Sequence, residues 1–209
     1  YGLKKVTMEN VFLDFLTAGI FVIELILAFL FFLLKKGVSA KLLGLYTLAL
    51  AIGIAEPLIN YWSLTPRWVA YYGGASFLYG PVLFLFVSYS IEGTNRFAAR
   101  DLWHFLPIVI YLTLASLGPD EPAAKGDGLL VEVILYELLF FQIFHYVRKT
   151  VYLYNSSLAK NLPPPELKMS FIRNLILFST ILFGSSFLFV HLFVLARTTP
   201  FPAIFYAYI

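Results

Sequence analysis

The sequence predicts an all-α integral membrane bundle with six complete transmembrane helices, the start of a seventh, and the N-terminus outside. Three observations carry this. The 209 residues are 60% hydrophobic and 13% charged, about half the charge a water-soluble domain carries, and the mean hydropathy is +0.83. Six apolar runs approach the roughly 20 residues a helix needs to cross a bilayer. The breaks between them are short and carry turn or charge signals.

In order, the runs are 11–34, 42–61, 69–91, 102–118, 129–150 and 171–196, with a seventh beginning near 201 in FPAIFYAYI. KKGVSAK at 35–41 separates the first two, and SLTPRW at 63–68 the next pair. EGTNRFAARD at 92–101, GPDEPAAKGDG at 118–128, NSSLAKNLPPPELK at 155–168 and RTTP at 197–200 supply the remaining breaks. Such connections make sequential helices antiparallel neighbours. The first run is too long for a secretory signal and no small-residue cleavage site follows it. The expectation is one transmembrane domain over 1–209, cut within helix seven, with an output domain beyond it.

Lys and Arg set the orientation. Alternate loops hold Lys35, Lys36, Lys41, Arg96, Arg100, Arg148, Lys149, Lys160, Lys168 and Arg173 on one side, against Lys4, Lys5, Arg67, Lys125 and Arg197 on the other. The richer set is cytoplasmic, so the N-terminus is outside and a complete seventh helix delivers the C-terminus to the cytoplasm. Tyr61, Trp62 and Trp68 would line the outer edge of the membrane, and Tyr89, Trp103, Tyr152 and Tyr154 the inner edge. The net charge of +3 is no nucleic-acid footprint. The absence of cysteine removes disulfides, thiolate metal sites and cysteine nucleophiles.

DLWHFLPIVI at 101–110 opens the fourth run. Asp101 is expected to cap that helix, and Pro107 to fall in its first turn, where a missing N–H costs least. His104 then either marks the boundary or supplies a working imidazole.

The stretch FLYGPVLFLFVSYSIEGTNRFAARDLWHFLPIVIYL, 77–112, resembles the N-terminal multi-pass membrane domain of bacterial AraC-type helix-turn-helix transcriptional regulators. The residues that carry the resemblance are Gly80, Pro81, Asp101, Leu102, His104, Phe105 and Pro107. It implies a seven-helix sensor in the bacterial inner membrane, followed by a cytoplasmic DNA-binding domain outside these 209 residues. DNA is thus implied for that missing domain and not for this segment. The same input module on a histidine kinase is a related reading.

Ionisable groups within a bilayer usually face a bundle interior. Asp14, Glu56, Glu132, Glu137 and His191 fall in the expected outer half, and Asn60 shares a helix face with Glu56. Together they form a candidate outward pocket for an unknown small ligand or peptide. The alternative is interface snorkelling for Asp14 and Glu132 and interhelical hydrogen bonding for the others. No close-spaced His pair points to a metal, no cofactor is expected, and no hydrolase, kinase or phosphate-loop signature suggests an enzyme. Glu24 lies about 20 Å along helix one and needs a partner. It fits weakly with a small proton-linked transporter, the competing class. Gln142 and His145, three residues apart, are candidate relay or packing groups, as are His104, Pro107, Gly80 and Pro81. The bilayer is the expected partner, and a second copy of the chain a possible one.

Overall fold

The computed structural model describes residues 8–34, 36–61, 74–117, 127–159 and 166–198. Among these, every regular element is helical: α1 Met8–Leu34, α2 Val38–Tyr61, α3 Tyr79–Glu92, α4 Leu106–Leu117, α5 Asp127–Ala159 and α6 Glu166–Thr198. Two 3₁₀ segments, Ser76–Leu78 and Ala99–Phe105, lead into α3 and α4. The chain forms two compact units, Tyr1–Pro164 and Pro165–Ile209.

In the first unit α1 packs on α2, α2 on α3, and α3 on α5, so α3 is the central helix. Ala28 is the one buried residue among the described side chains of α1. It meets Gly44 of α2, whose missing Cβ lets the backbones close. Most of the other described side chains of α1 form an apolar surface that water would not tolerate and lipid would. α2 turns Leu42, Tyr46, Ala49 and Leu50 inward. Tyr79 of α3 donates a hydrogen bond to the Ala49 carbonyl at 3.2 Å and meets the Tyr46 ring edge-on.

Gly80 brings α3 onto α5. A Cβ there would lie 3.0 Å from Tyr146 Cβ and 3.4 Å from Ile143 Cα, so a larger residue would push the helices apart. Pro81, Val82 and Leu83 beside it are buried. Gly93 ends α3 in the left-handed region, φ 69°, with its N–H donated to Tyr89 O at 3.1 Å. That conformation favours glycine.

The second unit contains α6. Four of its hydroxyls bond within the helix: Ser179 on Leu175 O, Thr180 on Ile176 O, and Ser185 and Ser186 on Leu182 O. Back-bonding of this kind lets Ser and Thr sit in an apolar helix without a neighbour.

Among the described residues three stretches are long and apolar enough to cross a membrane: Phe15–Leu33, Val38–Ala55 and Lys168–Leu188. Six complete spans are not supported by the described residues. The clearest departure is at the fourth. Its expected first residues, 102–105, belong to the 3₁₀ segment, leaving α4 with 12 residues. That is about 18 Å at 1.5 Å per residue, against a hydrocarbon core of about 30 Å. The expected seventh helix, from 201, lies outside the described residues.

Candidate functional site

The residues of the DLWHF stretch converge with α3 and α5 on one cluster. Its floor is aromatic. Phe84 of α3 lies 5.4 Å from the His104 ring and 5.9 Å from the Tyr146 ring of α5. His104 Nδ1 and Tyr146 Oη share a 2.8 Å hydrogen bond. The Lys149 ammonium, one helical turn along α5 from Tyr146, lies over the Phe84 and Tyr146 rings at 5.9 and 6.0 Å, within cation–π range. Burial lowers the His104 pKa below the ordinary imidazole value of 6.5, with the Asp101 charge opposing and the Lys149 charge reinforcing. The imidazole is therefore neutral at pH 7, and it lies outside the three spanning stretches.

The wall is the loop that follows α3. Tyr89 Oη donates to Asp101 Oδ2 at 2.5 Å and accepts the Ala98 N–H at 2.8 Å. The Tyr89 ring stacks on Phe97 at 5.9 Å with the planes 8° apart. Asp101 N–H donates to Ala98 O at 2.9 Å, and Arg100 Nε lies 3.7 Å from Asp101 Oδ1. Ser88 Oγ donates to Glu92 Oε1 at 3.1 Å. The left-handed turn at Gly93 starts this loop back over Tyr89, so a single phenol ties the end of α3 to the 3₁₀ segment. Between loop and helices lies a cleft of about 640 Å³.

Asp101 is thus not the cap of helix four. It is the third residue of the 3₁₀ segment, which Ala98 precedes in extended conformation, and its carboxylate is held by Tyr89. The α-helix starts five residues later at Leu106, and Pro107 is its second residue, where its missing N–H leaves no bond unmade.

Gly80 and Pro81 sit in the α3–α5 contact. Gln142 Nε2 donates to Phe77 O at 3.1 Å, a link from α5 to the turn before α3. Its Oε1 is buried without a hydrogen-bond partner among the described residues. Gln142 and Pro107 line a second, almost wholly apolar cavity of about 310 Å³ with Phe77 and Leu138. His145 is exposed and meets the edge of Tyr146, so Gln142 and His145 do not act on a common partner. Glu137 is exposed on α5. Glu24 is half-buried, and its Oε2 has no hydrogen-bond partner among the described residues. The side chains of Asp14, Glu56, Asn60, Glu132 and His191 lie outside the described residues, so the proposed outward pocket is not assembled from them here.

Sequence reasoning missed Tyr146 and Phe84, took Tyr89 only as a membrane-edge residue, and took Lys149 only as one of the charges that set orientation. Their partners lie far along the chain, 42 residues in the case of Tyr146 and His104, beyond any local motif. No group of three or more His, Asp or Glu that could hold a metal exists among the described residues. No protein-family model, no curated protein and no solved structure matches the chain, so the resemblance to a regulator family stands on its residues alone.

Proposed function

We propose that this chain is the membrane-embedded input domain of a bacterial signal-transducing transcriptional regulator. It sits in the inner membrane with its N-terminus outside, and relays a signal from the outer face or from the bilayer to a C-terminal cytoplasmic DNA-binding domain. In the complete protein the three long apolar stretches cross the membrane with further helices beside them. A ligand works by binding one packing of the bundle better than another, and Glu56, Glu137 and His191 are the groups proposed to receive it.

The observation that supports this reading is the convergence of the resemblance residues. Gly80 and His104 both meet Tyr146 of α5, Asp101 is held by Tyr89 of α3, and Pro107 is the second residue of the helix that follows. A signature that fixes how helices meet at the loop side is what a relay of packing requires.

The first test reads the gene beyond Ile209. A completed helix followed by two helix-turn-helix motifs supports the proposal, and an open reading frame that stops just after the helix overturns it. A reporter assay with Glu56→Gln, Glu137→Gln and His191→Gln then tests the pocket. Unchanged signal response in all three removes the pocket from the proposal. A second reading, a small proton-linked transporter, is favoured by Glu24, a carboxyl within the Phe15–Leu33 stretch with an unpartnered Oε2. Its test is proton uptake by liposomes carrying the chain, which Glu24→Gln should abolish.

A further inference from the structure

We infer that the cleft beside the 93–98 loop binds the phosphate of an anionic phospholipid headgroup, held by Lys149 and Arg96. The inference rests on the membrane placement proposed above, which puts this loop at the cytoplasmic surface.

The charges in the cleft do not cancel. Its carboxylates are already engaged: Glu92 accepts from Ser88, and Asp101 accepts from Tyr89 with Arg100 beside it. Arg96 and Lys149 also line the cleft, and neither forms an ion pair among the described residues. Lys149 is held over two aromatic rings, so its position is set by the fold before any anion arrives. Three cations against two carboxylates leave a net positive cleft.

The occupant must also be partly apolar. Phe84, Leu85 and Leu153 line the cleft together with the charges, and its volume of about 640 Å³ is that of a site for a whole small molecule. Trp103 and Tyr152, from the 3₁₀ segment and α5, two of the elements that border the cleft, are 73% and 74% exposed. Exposed Trp and Tyr concentrate at the headgroup level of a bilayer. A phosphate with a glycerol and acyl body beneath it meets all three conditions. A free phosphate meets only the first.

The test uses the 209-residue chain in neutral maltoside micelles. Dihexanoyl-phosphatidylglycerol, dihexanoyl-phosphatidylcholine and inorganic phosphate are titrated separately and in competition, with binding read by native mass spectrometry and thermal shift. The glycerol lipid is expected to bind at one site and more tightly than the choline lipid. Lys149→Gln and Arg96→Gln should each weaken it roughly fivefold, the effect of one cation near an anionic surface. Lys149→Arg should keep the binding, which separates charge from folding. Equal affinity for the two lipids overturns the inference, as does indifference to both Gln substitutions. Inorganic phosphate that competes at equal concentration assigns the cleft to a soluble anion and overturns the lipid as its source. The chain has no cysteine, so a single Thr94→Cys labelled from one side of a vesicle reads the placement of the loop separately. Neither measurement depends on an output domain, so a failed lipid site and a failed sensor reading are distinguishable.

Discussion

The α1–α2 hairpin and the α3–loop–α5 cluster hold their helices by different means. α1 closes on α2 where Ala28, Phe31 and Phe32 meet Gly44, and most of its other described side chains are open to the surroundings. The α3–α5 contact joins close packing at Gly80 to a set of hydrogen bonds and ring contacts around Tyr89, His104 and Tyr146. In lipid, apolar burial drives helices together far less than in water, so packing and polar bonds decide where a pair sits. Around Gly80 the polar part is explicit, in the bonds of Tyr89 to Asp101 and of His104 to Tyr146.

Gly80→Leu should separate the two regions most sharply. The new side chain would enter space already filled by Tyr146, and the expected loss is about 3 kcal/mol or more, measured as unfolding in mixed micelles. A variant as stable as the parent would show that the helices part easily there. Tyr89→Phe comes next. It deprives Asp101 and the Ala98 N–H of their shared partner, a loss of about 1–3 kcal/mol. Proteolysis within 93–98 should accelerate while α1 and α2 stay intact.

His104 gives a smaller, pH-dependent effect. Its folded pKa is lowered, so the unfolded chain takes up the proton first as pH falls. Its contribution is complete above the ordinary value of 6.5 and is lost as pH drops from there through the folded pKa. His104→Gln should remove that part of the pH dependence, and imidazole NMR of the parent should place the titration below 6.5. A titration above that value would sink the account of His104 as a buried neutral group. Smallest is Phe29→Ala on the open face of α1, where Phe29 is 61% exposed. A change within about 0.5 kcal/mol is expected, and a larger one would mean that this face is packed against something.

Composition made the helical class legible, and the Gly93 turn fell within the break expected at 92–101. The start of helix four was misread, because a seven-residue 3₁₀ segment leaves too little sequence to tell a period of 3.0 from 3.6 residues. The flanking runs are also apolar on every side, so no stripe marked which face was buried. His104 drew attention as a polar residue in an apolar run. Its partner did not, since Tyr146 is one of 14 tyrosines and nothing local distinguishes it. The carboxylates expected to form an outer pocket were chosen by depth alone. Depth does not fix helix neighbours, and the side chains of Asp14, Glu56, Glu132 and His191 lie outside the described residues.

The length of α5 has a mechanical consequence. The helix has 33 residues, about 50 Å, far more than a bilayer core requires. Gly80 presses on it at Tyr146, which makes that contact a fulcrum with Ala159 at the end of the arm. The arm is 13 residues from Tyr146 to Ala159, about 20 Å, so a tilt of about 10° at the fulcrum swings its tip by about 3.4 Å. The close contact therefore acts as a pivot as well as a fastening, and small rotations at the level of His104 reach the far end of α5 enlarged.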